Sequence, residues 1–197
     1  MSQLVLDRLK TRFGAAILET HSAHGDETAV VTPESWRAVC QFLRDDPAMS
    51  FDMLTDLCGV DFPDRLPRME VVAHLYSISR RHRVRLKTRV GDADLSAGTV
   101  DLDSVAAIWK TADWLERETF DMSGVVFREH PDLRRILMYP EFVGHPLRKD
   151  YPAHKAQPLI DYRTEEEAGL PLEKLAPFGP DEGMSFGRRT YTRSEEN

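Results

Sequence analysis

The sequence predicts an α+β fold, with a mainly antiparallel sheet and helices packed on it, followed by an extended, proline-rich C-terminal tail. Segments with two-residue alternation of apolar residues are interleaved with segments of helical spacing. No glycine-rich turn joins a strand to a helix, so a dinucleotide fingerprint or a P-loop is excluded. From about Tyr151 prolines recur and apolar residues become sparse. We therefore divide the chain into an α+β domain, 1–150, and a tail, 151–197, expected to pack on another surface.

The composition excludes several classes of function. The 197 residues carry 33 acidic and 26 basic side chains, a net charge of −7, which disfavours general binding of nucleic acids. No apolar run has the length of a membrane span, so we expect a soluble chain of the cytoplasm, a prediction compatible with membership of a membrane-bound assembly. Cys40 and Cys58 stand far apart, without Cys-X-X-Cys spacing. We expect both thiols to be buried and the chain to hold no metal centre.

The N-terminal elements alternate between helix and strand. Leu4–Phe13 places three apolar residues on one helical face, and Gly14 is suited to end that helix. Two strands are predicted next, Ala15–His21 and Glu27–Thr32, with a turn around Gly25.

The second helix has the clearest signal in the sequence. Thr32 is a suitable N-cap, and Pro33 suits the first helical position. An acidic pair followed by Pro47 ends the helix. Its apolar stripe consists of Trp36, Val39, Cys40 and Leu43.

Three strands follow, at Leu54–Phe62, Met69–Ser79 and Arg83–Val90. The second is apolar on both faces, which is typical of a central strand, and a short turn makes the last two a hairpin. The third strand carries a basic stripe, which on an acidic protein favours a solvated or protein-docking face. The stripe is Arg83, Arg85, Lys87 and Arg89.

Two helices are predicted before a charged stretch. The first would run from Val105 to Ala112 with a cap at Asp103 or Ser104, and the second from Trp114 to Met122, ended by Gly124. On the second helix the period places Glu118 on the same face as apolar neighbours, so we expect it to point inward. A buried carboxylate needs a partner. The candidates are Arg134, Arg135 and Arg148.

The stretch from Trp114 to Pro152 concentrates charged residues and prolines, and it admits two interpretations. One is a hydrolase that uses its histidines and carboxylates. However, both histidines precede prolines, which places them in extended backbone rather than on one helix face, and no nucleophile motif is present. The other interpretation is a rigid docking ridge, with a short strand at Arg135–Met138 and an ion pair from Asp132 to a nearby arginine.

The same stretch resembles the signature of one known family. The residues that carry the resemblance are Leu115-Glu116-Arg117-Glu118-X-X-Asp121-Met122-X-Gly124, His130-Pro131-Asp132-Leu133-Arg134-Arg135-Ile136-Leu137 and Gly144-His145-Pro146-Leu147-Arg148-Lys149-Asp150-Tyr151-Pro152. They are similar to those of the 30-kDa subunit (the C-type subunit in bacteria) of respiratory NADH:quinone oxidoreductase, complex I.

The resemblance implies a non-catalytic subunit in the peripheral arm of that complex, on the cytoplasmic side of the cell inner membrane. It implies no cofactor in this chain, since FMN and the iron–sulfur clusters lie in partner subunits, and it implies docking to the quinone-site subunit of the 49-kDa type (the D-type subunit in bacteria). An equivalent subunit of a nickel–iron hydrogenase-type complex is the alternative within this class. The interface residues implied by the signature are Glu116, Arg117, Glu118, Asp121, His130, Pro131, Arg134, Arg135, Gly144, His145, Pro146, Arg148, Lys149 and Asp150.

Overall fold

A computed structural model of the protein describes residues 3–91, 100–154 and 156–157. This part of the chain contains the helices α1 (Gln3–Phe13), α2 (Trp36–Asp45) and α3 (Ala112–Ser123). Its strands are β1 (Ile17–Ala23), β2 (Asp26–Val31), β3 (Met53–Asp61), β4 (Met69–Ser77), β5 (His82–Val90), β6 (Val100–Asp103) and β7 (Val125–Arg128).

Five strands form one sheet in the order β1-β2-β5-β4-β3. Three of its four strand pairs are antiparallel, and only β2 and β5 run parallel. The α+β prediction with a mainly antiparallel sheet is therefore confirmed. β4 is an interior strand with both faces largely buried, as its continuous apolar sequence predicts.

The core lies between one face of this sheet and the first two helices. The predicted stripe of α2 is fully buried, because its four members recur every three or four residues and so face the sheet together. Pro33 opens a single 3-10 turn ahead of α2, and Gly14 follows α1 with a positive φ of 49°. Both helix boundaries agree with the sequence prediction to within a few residues.

The other face of the sheet carries the basic stripe of β5, and most of that stripe is neutralised locally. Lys87 Nζ lies 2.8 Å from the buried carboxylate of Glu70 on β4, and Arg89 binds Glu19 on β1 through two contacts of 2.9 Å. Burial opposes the ionisation of Glu70, but Lys87 outweighs it, so the pKa of Glu70 lies below its ordinary value. Much of the stripe is thus paired with carboxylates on other strands of the same sheet.

Helix α3 lies beside β3 and closes that side of the sheet. The Thr119 hydroxyl donates to the carbonyl oxygen of Leu57 at 3.3 Å, and Thr111 makes an equivalent bond to Leu54. Gly59 on β3 faces Thr119 and Ser123 of α3 at close range. The helix ends at Gly124, whose φ of 79° is the left-handed cap conformation that the sequence predicts.

The predicted helix from Val105 to Ala112 is wrong. This segment forms turns, in which the amides of Ile108 and Trp109 both reach the carbonyl of Val105. The Trp109 indole donates to the carbonyl of Phe51 at 3.0 Å, so tertiary contacts hold the segment without a helix. Such contacts override a helical pattern of only eight residues.

A second, two-stranded parallel sheet, β6 with β7, was not predicted. Each of its strands has only four residues, too few to show a reliable period. The predicted strand at Arg135–Met138 is also wrong, since the amides there bind a side chain rather than a neighbouring strand.

The predicted tail lies largely outside the described residues. The chain divides into the units Met1–Gln157 and Pro158–Asn197, and the structure describes the first of these. The predicted boundary at 151 stays a prediction. Within the described ranges no helix combines the length and apolar character needed to cross a membrane.

Replacing Gly59 tests how closely α3 is seated on β3. A Cβ there would lie 3.0 Å from Thr119 Cγ2 and 3.1 Å from Ser123 Cβ, closer than ordinary contacts. We expect Gly59→Ala to lower the free energy of unfolding by about 1–3 kcal/mol in urea denaturation of the full chain. Adding Thr119→Ser removes that Cγ2, keeps the hydroxyl, and should recover part of the loss. Unchanged stability of Gly59→Ala would contradict the close packing.

Candidate functional site

The family-like signature lies on α3 and on the segment that follows β7, which we call the strap (residues 129–154). The strap contains no helix or strand. Its path is therefore determined by bonds between side chains and backbone rather than by a repeating backbone pattern. Four groups of contacts hold it against the domain.

The first contact is made by Asp121, a fully buried carboxylate on α3. Its Oδ2 accepts hydrogen bonds from three consecutive strap amides, Ile136 at 3.1 Å, Leu137 at 2.8 Å and Met138 at 2.8 Å. Its Oδ1 binds the guanidinium of Arg135. Burial opposes ionisation of Asp121, but the Met138 amide, Arg135 and the other two amides outweigh it and keep its pKa below the ordinary value.

The second contact satisfies the C-terminal end of α3, where carbonyl groups lack helical partners. Arg148 Nε donates to the carbonyl of Ser123 at 2.8 Å, and its Nη2 donates to that of Gly124 at 3.3 Å. His145 Nδ1 donates to the carbonyl of Asp121 at 3.0 Å. A Cβ at Gly124 would collide with the Arg148 guanidinium, so the glycine is needed both for its backbone angle and for this approach.

The third contact joins the strap to the ends of β3 and β4. Arg68 is buried and binds both oxygens of Asp61 at 2.7 Å, and its Nη1 lies 3.0 Å from Asp150. The amide of Lys149 donates to Asp61 Oδ2 at 2.8 Å. The hydrogen bond from Arg68 holds the pKa of Asp61 below its ordinary value, against the effect of burial.

Further bonds connect the strap to itself and to α3. Arg117 donates from Nε to the carbonyl of Arg134 at 3.0 Å and from Nη2 to that of Arg135 at 3.2 Å. Arg135 Nη2 donates to the carbonyl of Gly144 at 3.0 Å, and Gly144 has a φ of 101°, as expected for a sharp turn. The predicted ion pair of Asp132 is formed with Arg134 at 2.8 Å.

The fourth contact involves Glu116 and His130, whose side chains are both fully buried. Glu116 accepts from the Ser104 hydroxyl at 2.6 Å and from the Val105 amide at 2.7 Å. His130 Nε2 lies 3.8 Å from Glu116 and 3.1 Å from the carbonyl of Asp113.

Hydrogen bonding orients the His130 ring beside Glu116. His130 Nδ1 accepts from the Asp132 amide at 3.0 Å, so Nε2 is the nitrogen that donates to the carbonyl of Asp113. No lysine or arginine in the described part of the chain forms an ion pair with Glu116. Burial raises the pKa of Glu116 to about 7, although the hydroxyl of Ser104 and the amide of Val105 act in the opposite direction.

The prediction that Glu118 points inward to an arginine is wrong. Glu118 is exposed, and Trp114, one turn before it, is 69% exposed. The buried acids of α3 are Glu116 and Asp121 instead. Arg135, one of the candidate arginines, binds Asp121 rather than Glu118.

The strap displays apolar side chains outward. Those that are large and exposed are Leu137, Tyr139, Val143 and Leu147. The signature positions Pro131, Arg134 and Lys149 are exposed, and Pro146 is half-buried. A polar framework inside and an apolar surface outside are typical of a docking surface rather than a catalytic centre. The interface role of the signature residues stays a prediction.

The described residues contain no group of three or more His, Cys, Asp or Glu placed to hold a metal ion. Cys40 is buried and Cys58 half-buried, and both are free thiols. Sequence reasoning missed Asp61, Arg68 and Ser104 as anchors. A signal existed for the first two, because pairing the predicted strands places Asp61 opposite Met69 and hence near Arg68.

The comparison with protein families shows to which family the chain belongs. The model described as "Respiratory-chain NADH dehydrogenase, 30 Kd subunit" matches residues 29–157, from β2 to the end of the described domain. The chain belongs to this family. The resemblance noted in the signature is thereby confirmed.

Sequence relatives agree with the family match. The second C-type subunit of NADH-quinone oxidoreductase from Rhizobium etli is 44% identical over 170 residues, covering 86% of this chain and 80% of the relative. The C-type subunit of NADH-quinone oxidoreductase from Geobacter sulfurreducens is 45% identical over 146 residues, covering 74% of this chain and 86% of the relative.

Solved structures show the same fold. The trypsin-resistant fragment 1–134 of Nqo5 has a TM-score of 0.55 and 26% identity, covering 67% of this chain and 98% of the fragment. A chain of an archaeal membrane-bound sulfane sulfur reductase has a TM-score of 0.64, covering 78% of this chain and 86% of its own. At 21% identity the latter likeness concerns the fold alone.

Asp121→Asn tests whether Asp121 holds the strap. An amide cannot replace a carboxylate that accepts from three amides and a guanidinium, so we expect the free energy of unfolding to fall by about 2–4 kcal/mol. Limited trypsin digestion should also cleave the strap faster. The control Asp132→Asn breaks only an exposed pair and should change stability by less than about 0.5 kcal/mol. Equal behaviour of the two variants would contradict the role of Asp121.

Glu116 should make stability fall as pH rises. Its pKa is raised from 4.5 to about 7 on folding, so its contribution is complete below pH 4.5 and is lost as pH rises through 7. Between pH 5 and 8 the parent chain should lose about 2–3 kcal/mol relative to Glu116→Gln in urea denaturation.

The difference between these two chains isolates Glu116. His74, His82 and His145 have pKa values lowered mainly by burial, which makes stability rise with pH, but both chains contain them. A difference independent of pH would show that Glu116 is ionised throughout this range.

Proposed function

We propose that this chain is a non-catalytic, peripheral-arm subunit of a proton-translocating NADH:quinone oxidoreductase and that its strap docks on the quinone-site subunit of the 49-kDa type. Family membership supports the complex. The observation that carries the docking role is the strap itself, an irregular segment fixed by buried charged groups that turns Leu137 and Val143 outward. Such a preorganised surface loses little conformational entropy when a partner binds.

We further propose that the chain carries no cofactor and that electrons pass from NADH through FMN and iron–sulfur clusters of other subunits to quinone. The acid–base groups of the signature support this assignment. Asp121, Glu116 and His130 are engaged by backbone amides, carbonyls or Ser104, which leaves them unsuited to proton transfer with a substrate. The protein would then reside on the cytoplasmic side of the inner membrane, attached through the complex.

Substituting exposed apolar strap residues tests docking without disturbing the framework. Leu137 and Val143 are 57% and 53% exposed, so Leu137→Ser/Val143→Ser should leave the fold intact. We expect the yield of this chain in complex purified through a tag on another subunit to fall at least about tenfold, because each anchor contributes about 1 kcal/mol or more.

The matched control is Leu18→Ser/Ile78→Ser, on β1 and just beyond β4, where the side chains are 52% and 60% exposed. This control should co-purify at the parental yield. Parental yield of the strap variant would refute docking through the strap. Reversing Arg134 and Lys149 to Glu is a second test, whereas Arg135 and Arg148 are unsuitable because they hold the strap in place.

A further inference from the structure

A second docking surface lies between β3 and α3. A groove of about 190 Å³ opens there, lined by residues of both elements and by Leu147 of the strap. Its apolar walls are formed by Leu57, Met122 and Leu147. Trp114, one helical turn before Glu118, adds an exposed aromatic ring to the same side of α3.

The groove lies directly beside the close contact of the two elements. Gly59 allows Thr119 and Ser123 to approach β3, and both of these residues also line the groove. Met122 is only 8% exposed, so it forms a fixed part of the wall. The part of the groove between β3 and α3 is therefore preformed by their packing, and Leu147 of the strap completes it.

Two carboxylates border this groove, Asp56 from β3 and Glu118 from α3. Both are exposed, and neither carboxylate forms an ion pair or a side-chain hydrogen bond within the described part of the chain. The Cys58 thiol lines the same groove. Its pKa is raised by burial first and then by the charges of Asp56 and Glu118.

These carboxylates contrast with the other acids of α3 and the strap. Asp121 and Asp150 bind Arg135 and Arg68, and Asp132 binds Arg134. Glu118 is also the residue for which the sequence predicts a cationic partner, because it shares a helical face with Trp114, Leu115 and Met122. The fold supplies no such partner among the described residues, although apolar walls lie beside the carboxylate.

We propose that this groove receives a segment of a neighbouring subunit in which a lysine or arginine adjoins an apolar side chain. The cation would lie between Asp56 and Glu118, and the apolar side chain would contact Leu57, Met122 and Leu147. This inference rests on the proposed function, and it assigns a contact distinct from the Leu137–Val143 surface. Charge complementarity favours a basic segment, and a second copy of a chain with net charge −7 fits less well.

Photo-crosslinking in the assembled complex tests which segment occupies the groove. The full chain carries p-benzoylphenylalanine at position 114 and is expressed in cells that assemble the complex, and linked peptides are identified by mass spectrometry after irradiation. We expect a link to another subunit within about three residues of a lysine or arginine, the reach of an extended segment across the groove. The same probe at Leu18 serves as the control position and should give no such link.

Charge variants measure the part played by the carboxylates. Glu118→Lys should lower the crosslink yield from position 114 about fivefold or more, with Glu118→Gln intermediate, because a repulsive charge replaces an attractive one. The control Glu34→Lys reverses an exposed carboxylate ahead of α2 and should leave the yield unchanged.

The outcomes separate the two proposals. If the parent chain fails to co-purify with the complex, the proposed function is wrong. If it co-purifies, and a probe at Leu137 links to a partner while position 114 does not, only the groove assignment is overturned. A link to a segment without a basic residue, a link to a second copy of this chain, or a yield insensitive to Glu118→Lys would overturn it as well.

Discussion

The path of the strap depends on the carboxylate of Asp121. One of its oxygens accepts hydrogen bonds from three successive backbone amides that have no partner in a neighbouring strand. The other oxygen binds Arg135 of the same segment. A neutral side chain would lose the ion pair with Arg135 and would bind the three part-buried amides more weakly than a carboxylate does. The cap of α3 by Arg148 and the anchor at Arg68 extend this arrangement to the end of the strap.

This arrangement separates the charges that hold the strap from the surface that the strap presents. Arg135, Arg148 and Asp150 bind groups of their own chain, whereas Leu137 and Val143 remain exposed. On the proposed function, most residues of the signature would act by fixing the backbone of the strap rather than by contacting the partner. The charged positions determine the backbone path, and that path determines which apolar side chains are displayed.

The sequence correctly predicted the features that depend on the local spacing of apolar residues. The buried stripe of α2 and the alternation of β5 follow from spacing alone, and Gly124 ends α3 as its backbone freedom indicates. The choice between Glu116 and Glu118 did not follow, because apolar residues lie on both sides of α3 and the period cannot say which side the protein covers. The contact between Lys149 and Asp61 was equally hidden, since it joins residues 88 positions apart.

That long separation has a consequence for biosynthesis. We expect the strap to bind Asp61 after β3 and β4 have paired, since their pairing places Asp61 and Arg68 together before the longer loop has to close. The strap would then take its final path late in folding. Incompletely folded chains would lack the surface that we propose for assembly, which would link incorporation of this subunit to completion of its fold.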